Sequence, residues 1–159
     1  MAIENKKSKY SKTAKFFHWG FVVLFLYGIF KQVDNIDQLQ NISFLKFEII
    51  FALIFLILLI IRFLYMKMTQ KSSLPPETSK LQKSAAKFVH NSMYFLLLGT
   101  VLSGLFIGVL FWIGYSNSIA VHIAISFHEI IINMLYIFIL IHILAAFYHR
   151  LRNDGVWDS

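Results

Sequence analysis

Four long apolar stretches dominate this chain of 159 residues and leave it few ways to fold. They run at about 16–33, 44–65, 88–114 and 121–148. A helix of ~20 apolar residues crosses the ~30 Å hydrocarbon core of a bilayer. It also satisfies its own backbone hydrogen bonds there, as few structures can. Composition agrees, with 58% hydrophobic and only 14% charged residues, and a mean hydropathy of +0.66. A soluble domain carries about 25% charged residues. The expected architecture is all-α, with residues 1–159 forming a single membrane domain and no soluble domain. The first stretch is the shortest, Phe16 to Phe30, with His18 as its polar break. It follows a run of lysines, as a signal peptide would. No small-residue cleavage site follows it, so it reads as a retained helix. Pro75-Pro76 with Ser72 and Ser73 mark a polar linker between the second and third spans.

Basic residues orient the bundle, because lysine and arginine gather on cytoplasmic loops. Lys6, Lys7, Lys9, Lys12 and Lys15 precede the first span. Arg62, Lys67, Lys71, Lys80, Lys83 and Lys87 lie between the second and third, and Arg150 and Arg152 follow the fourth. The opposite loops hold only Lys31 and Lys46. Both termini are thus expected in the cytoplasm, with an up-down four-helix bundle between them. The net charge of +7 then reflects basic loops rather than nucleic-acid binding. Trp19, Trp112 and Trp157 fall near the interfaces, as belt residues do.

Within this frame the histidines carry the chemistry. Ionisable residues inside a membrane are rare and usually functional. His128 and His142 are fourteen residues apart on the last span, about four turns, so both project from nearly one face. The rise between them is ~21 Å, most of the hydrocarbon thickness. His18 enters from the cytoplasmic side and shares a layer with His142. Two imidazoles on different helices at one depth suit the two faces of a porphyrin. The competing reading is two polar residues at a helix interface. With no cysteine, iron–sulfur clusters, thiolate ligation, covalent heme attachment and disulfides are excluded. The expectation is a b-type heme with His18 and His142 as iron ligands, and the spacing of His128 and His142 lets the last span hold two redox centres, or one centre and part of another.

Other residues qualify this reading. His90, at cytoplasmic depth, has three roles open to it: alternative ligand, hydrogen-bond partner of a heme propionate, and interfacial residue. Arg62 is read equally as a propionate partner and as a helix anchor. His149 sits at headgroup level, and His122 is read as surface. Gly28, Gly99, Ser103, Gly104 and Gly108 would let a flat macrocycle approach, though small residues also serve helix packing. A small transporter moving protons or cations through His128, Glu129, His142 and Glu48 is the rival class. It leaves the depth-matched His18 and His142 unexplained. His128-Glu129 is not a zinc-protease motif, since Ile132 occupies its last position. A membrane anchor for a soluble partner would leave every buried histidine unexplained.

The ordered set of motifs resembles the bacterial cytochrome b561 family, which is related to hydrogenase cytochrome b subunits. Tyr10-Ser11-Lys12 followed by Phe17-His18-Trp19 resembles its opening. Lys87-Phe88-Val89-His90 with Tyr94, then Ser103-Gly104, resembles its third helix. His128-Glu129, His142, Ala145-Ala146-Phe147-Tyr148-His149-Arg150 and Asn153-Asp154-Gly155-Val156 resemble its last helix and tail. The resemblance implies two b hemes stacked across the bacterial inner membrane. It pairs His18 with His142, and His128 with a histidine on the second helix.

Here the chain departs from the pattern. Glu48 stands where that histidine is expected, and span two has no histidine. Four readings stay open for Glu48: a weak ligand beside His128, a neighbour of an outer heme ligated by His122 instead, a hydrogen-bond partner of His128 in a quinone or proton site, and an interfacial carboxylate without a role. The function implied is single-electron transfer through heme b, with ubiquinone as the redox partner. The resemblance extends to superoxide oxidation, to membrane subunits of redox complexes with a dehydrogenase partner, and to oxidoreductase activity in a respiratory chain.

Overall fold

The computed structural model describes residues 11–31, 33, 35–69 and 78–152. The motifs at Tyr10 and Asn153–Val156, the lysines at 6, 7, 9 and 71, the linker at Ser72–Pro76 and Trp157 lie outside the described residues. Among the described residues four α-helices make the fold: α1 Lys12–Phe30, α2 Ile42–Thr69, α3 Lys80–Trp112 and α4 Ile119–Leu151. A short 3-10 helix, Ile36–Gln40, sits between α1 and α2, and no strand occurs among the described residues.

Caps rather than hydropathy set the helix ends. Ser11 Oγ accepts from Ala14 N–H at 3.1 Å and starts α1 four residues before the apolar stretch. Ser79 Oγ likewise accepts from Gln82 N–H at 3.3 Å, so α3 gains two polar turns ahead of Phe88. Asn41 Oδ1 accepts from Ser43 N–H and Phe44 N–H at the start of α2, and Ser118 caps α4. Each provides an acceptor for N–H groups that have no partner inside the helix. At the other end of α3, Gly114 adopts φ +83, a conformation glycine reaches without the clash a Cβ brings. At 33 residues, α3 and α4 are each ~50 Å long and outrun the hydrocarbon core at both ends.

Side-chain contacts establish the alternating directions. The start of α1 meets the end of α2, where Ser11 and Tyr65 hydroxyls are 2.9 Å apart. The start of α2 meets the end of α3, where Lys46 lies over the Trp112 ring. Phe88, early in α3, packs on Phe138, late in α4. Ser11 and Arg152 therefore share one end of the bundle, the terminal end. The 3-10 helix and the 113–118 turn form the far end.

The neighbours are α1 with α2, α2 with α3, and α3 with α4. Among the described residues no Cα of α1 or α2 comes within 8 Å of one in α4. The bundle is thus open between α4 and the first two helices. The main core joins Phe21, Phe55, Leu59, Leu96, Leu97, Val101, Ile131 and Leu135, and a smaller one at the far end joins Leu39, Leu45, Ile107 and Ala124. α3 serves both and is the most buried helix, with 33% of its most apolar window covered against 11% for each of the others. Phe16, Phe30, Phe95 and Ile119 are among the large apolar side chains that face outward. Such a surface fits lipid rather than water.

Gly108 shows how closely α2 and α3 approach. A Cβ there would stand 2.9 Å from Ile49 Cγ1. Gly108→Val is expected to cost about 1–3 kcal/mol through overpacking. The shift in thermal unfolding of detergent-solubilised protein measures it. Ile49→Ala in the same chain should recover part of the loss. An unchanged midpoint would mean the seam has slack.

Candidate functional site

His128 and His142 each lie nine residues from an end of α4. One face of a single helix thus presents two imidazoles to two layers of the bundle. Both are half-buried, as is His18.

The layer near the terminal end gathers His18 of α1, Arg62 of α2, His90 of α3 and His142 of α4 within electrostatic reach of one another. Arg62 is its hub. Its guanidinium carbon stands 5.0 Å from the Phe21 ring centroid and 5.7 Å from that of Tyr94. Cation–π attraction on both sides offsets part of the cost of burying it. Arg62 Nη2 donates to His18 Nδ1 at 2.9 Å, because a guanidinium cannot accept. Arg62 Nε is buried with no hydrogen-bond partner among the described residues. A half-buried cation with an unused, buried donor suits an anionic group beside the imidazoles.

His90 is exposed, and its Nδ1 donates to the Ala86 carbonyl at 2.7 Å. Its ring meets His142 edge-to-face, with centroids 5.0 Å apart. That contact leaves no room for a macrocycle between the two rings. His18 stands on α1, no Cα of which comes within 8 Å of one in α4 among the described residues.

The far layer is built around Ser103. Its Oγ lies 2.7 Å from Gly99 O, 3.1 Å from Thr100 O and 2.7 Å from His128 Nδ1. A hydroxyl has one proton and gives it to a carbonyl, so His128 Nδ1–H donates to Ser103 Oγ. The other ring nitrogen, Nε2, is then left with its lone pair. Gly104 backs the ring, and a Cβ there would stand 3.3 Å from His128 Cε1. One turn along α3, Gly108 faces Ile49, the neighbour of Glu48. Glu48 is half-buried, and its Oε1 has no hydrogen-bond partner among the described residues. Glu129 is exposed beside His128. His122 is exposed in the first turn of α4, and six residues of helix turn it away from the His128 face. His149 lies in the last turn of α4 against Tyr148. Trp19 and Trp112 are exposed.

Sequence reasoning missed two of these roles. Ser103 entered as a small residue and as part of a motif, and Tyr94 only as part of a motif. Contacts across 25 and 32 positions of chain leave no local pattern to find.

An apolar groove of about 330 Å³ opens between α3 and α4. Phe88, Asn91, Ser92, Phe95, Leu96, Met134 and Phe138 line it. Asn91 directly follows His90, and Phe138 lies one turn before His142.

The residues present fit heme b at the terminal end. His18 and His142 are half-buried imidazoles on different helices, and Arg62 beside them has a buried Nε donor to spare. Among the described residues no group of three or more His, Cys, Asp or Glu could hold a metal ion. Two axial imidazoles suffice for heme iron, whose other ligands come from the porphyrin. Searches of curated proteins and of solved structures give no match. The family model described as prokaryotic cytochrome b561 matches residues 9–159. The chain therefore belongs to the prokaryotic cytochrome b561 family, the multi-pass bacterial membrane cytochromes that bind heme b and transfer electrons.

Proposed function

We propose that the chain passes single electrons through a heme b ligated by His18 and His142, and exchanges them with a quinone in the bacterial inner membrane. The observation that carries this is the terminal-end layer, where His18 of α1 and His142 of α4 lie within electrostatic reach of each other and of Arg62, on helices whose Cα atoms stay more than 8 Å apart among the described residues. When bound, the heme supplies the one-electron redox step. The protein contributes ligation, burial and charge. A neutral imidazole binding iron through Nε2 carries its proton on Nδ1. Arg62 would then be released from His18 Nδ1 and free to hold a propionate, with its guanidinium still against Phe21 and Tyr94. His90, fixed by Ala86, packs its ring edge-to-face with that of His142. The terminal end, rich in lysine and arginine, is the cytoplasmic one. Quinone is the favoured partner because the groove between α3 and α4 is apolar, with Asn91 and Ser92 in its lining and Phe138 one turn from His142.

The test is reduction of the purified chain by a short-chain ubiquinol, followed in the Soret and α bands. Ubiquinol should reduce the heme, and Asn91→Leu should slow that reduction about ten-fold, the equivalent of ~1.4 kcal/mol. Reduction by dithionite should not change. Dithionite-reducible heme that ubiquinol cannot reduce would remove the quinone from this account. A chain that stays colourless when heme is added would remove the cytochrome reading itself and favour proton or cation handling.

A further inference from the structure

Two layers of the bundle present an imidazole from one face of α4, and only one of them offers a second imidazole across the open side. In the far layer α2 supplies no nitrogen ligand. Between Ile42 and Leu58 its polar side chains are Ser43, Lys46 and Glu48. Ser43 and Lys46 are exposed, and Lys46 is drawn over the Trp112 ring. Glu48 remains, with a buried oxygen that has no hydrogen-bond partner among the described residues. The His128 side is prepared by contrast. Ser103 sets the tautomer that leaves Nε2 free, Gly104 gives the ring its place, and α4 stands clear of α2.

We propose that the far layer holds a second heme b whose only strong-field axial ligand is His128, and whose opposite face, toward Glu48, is open to small diatomic ligands such as carbon monoxide and nitric oxide. This rests on the family's heme b reading, and it divides the chain's labour between two unlike centres. The terminal-end layer has His18 and His142 for the two axial positions, with His90 as a neighbour, and carries electrons without a free coordination position. The far layer has one imidazole and a carboxylate. Carboxylate oxygen is a weak-field donor to iron, and a small strong-field ligand displaces it readily. Ser103 acts as a positioning residue, because the hydrogen bond on Nδ1 fixes ring orientation and raises the donor strength of Nε2.

The full-length chain, purified with its heme, allows a direct test. The pyridine hemochrome gives heme per chain, electron paramagnetic resonance of the oxidised protein gives spin state, and a carbon monoxide difference spectrum of the reduced protein gives open coordination. The expected result is two hemes per chain, one low-spin and one high-spin, with carbon monoxide binding half of the total. Glu48→His should keep both hemes, convert the high-spin signal to low-spin and cut carbon monoxide binding at least about ten-fold. His128→Ala should lose one heme and all carbon monoxide binding while the low-spin signal stays, so the test survives if Glu48→His does not fold. One heme per chain, or two low-spin hemes indifferent to carbon monoxide, would overturn the proposal. Loss of the low-spin signal alone, with carbon monoxide binding still removed by Glu48→His, would overturn the His18–His142 assignment and leave this one supported.

Discussion

His142→Ala removes the low-spin heme. The variant is expected to fold, because His142 is only half-buried and the main core runs through Leu96, Val101, Ile131 and Leu135 on α3 and α4. It should lose the low-spin b-type spectrum, and heme per chain should fall by one. His18→Ala should do the same from α1, and His90→Ala should not. This ordering separates ligand from neighbour. His90 touches His142 edge-on, so its loss would loosen the ring without taking away a ligand. The measurement is the reduced-minus-oxidised spectrum of each variant with its pyridine hemochrome. A normal low-spin spectrum in His142→Ala would refute the assignment. Heme loss in His90→Ala with retention in His18→Ala would transfer the ligand role to α3.

Arg62→Leu should lower the reduction potential of the same heme. Reduction adds an electron, so a nearby cation favours the reduced form and its removal favours the oxidised one. An interaction of about 1.4 kcal/mol corresponds to a fall of roughly 60 mV for a one-electron couple. Leucine fills part of the space between Phe21 and Tyr94, which limits the loss of packing. Arg62→Lys keeps the charge and should keep most of the potential, though it gives up the planar fork that rests on two rings. Potentiometric titration of the heme bands reads the effect. A potential unchanged in Arg62→Leu would reduce Arg62 to an anchor of α2.

Much of this account was legible in the sequence because the bilayer imposes strong rules. Stretches such as Ile49–Ile61 have no plausible place except a spanning helix. The fourteen-residue interval of His128 and His142 fixes a shared face on any helix. Helix ends were less legible. α3 begins at Lys80 rather than near Phe88 because Ser79 supplies a cap, and hydropathy does not see hydrogen bonds. The relation among His18, Arg62 and His90 was legible only as shared depth. Which partner faces His142 across a gap depends on helix rotation and on the open side between α1 and α4. Ser103 stayed hidden for the same reason, since its role exists only where α3 meets α4. Glu48 was visible as a departure from a family pattern. Its lack of a hydrogen-bond partner required the packed bundle.

The central claim is that imidazoles of α1 and α4 sandwich a heme beside Arg62. Electron paramagnetic resonance of the oxidised, purified full-length chain tests it most directly, with heme per chain measured on the same sample. The account predicts a low-spin ferric signal of bis-imidazole type, lost in both His18→Ala and His142→Ala. A heme-loaded chain with no low-spin signal, or one whose signal survives both substitutions, would contradict it.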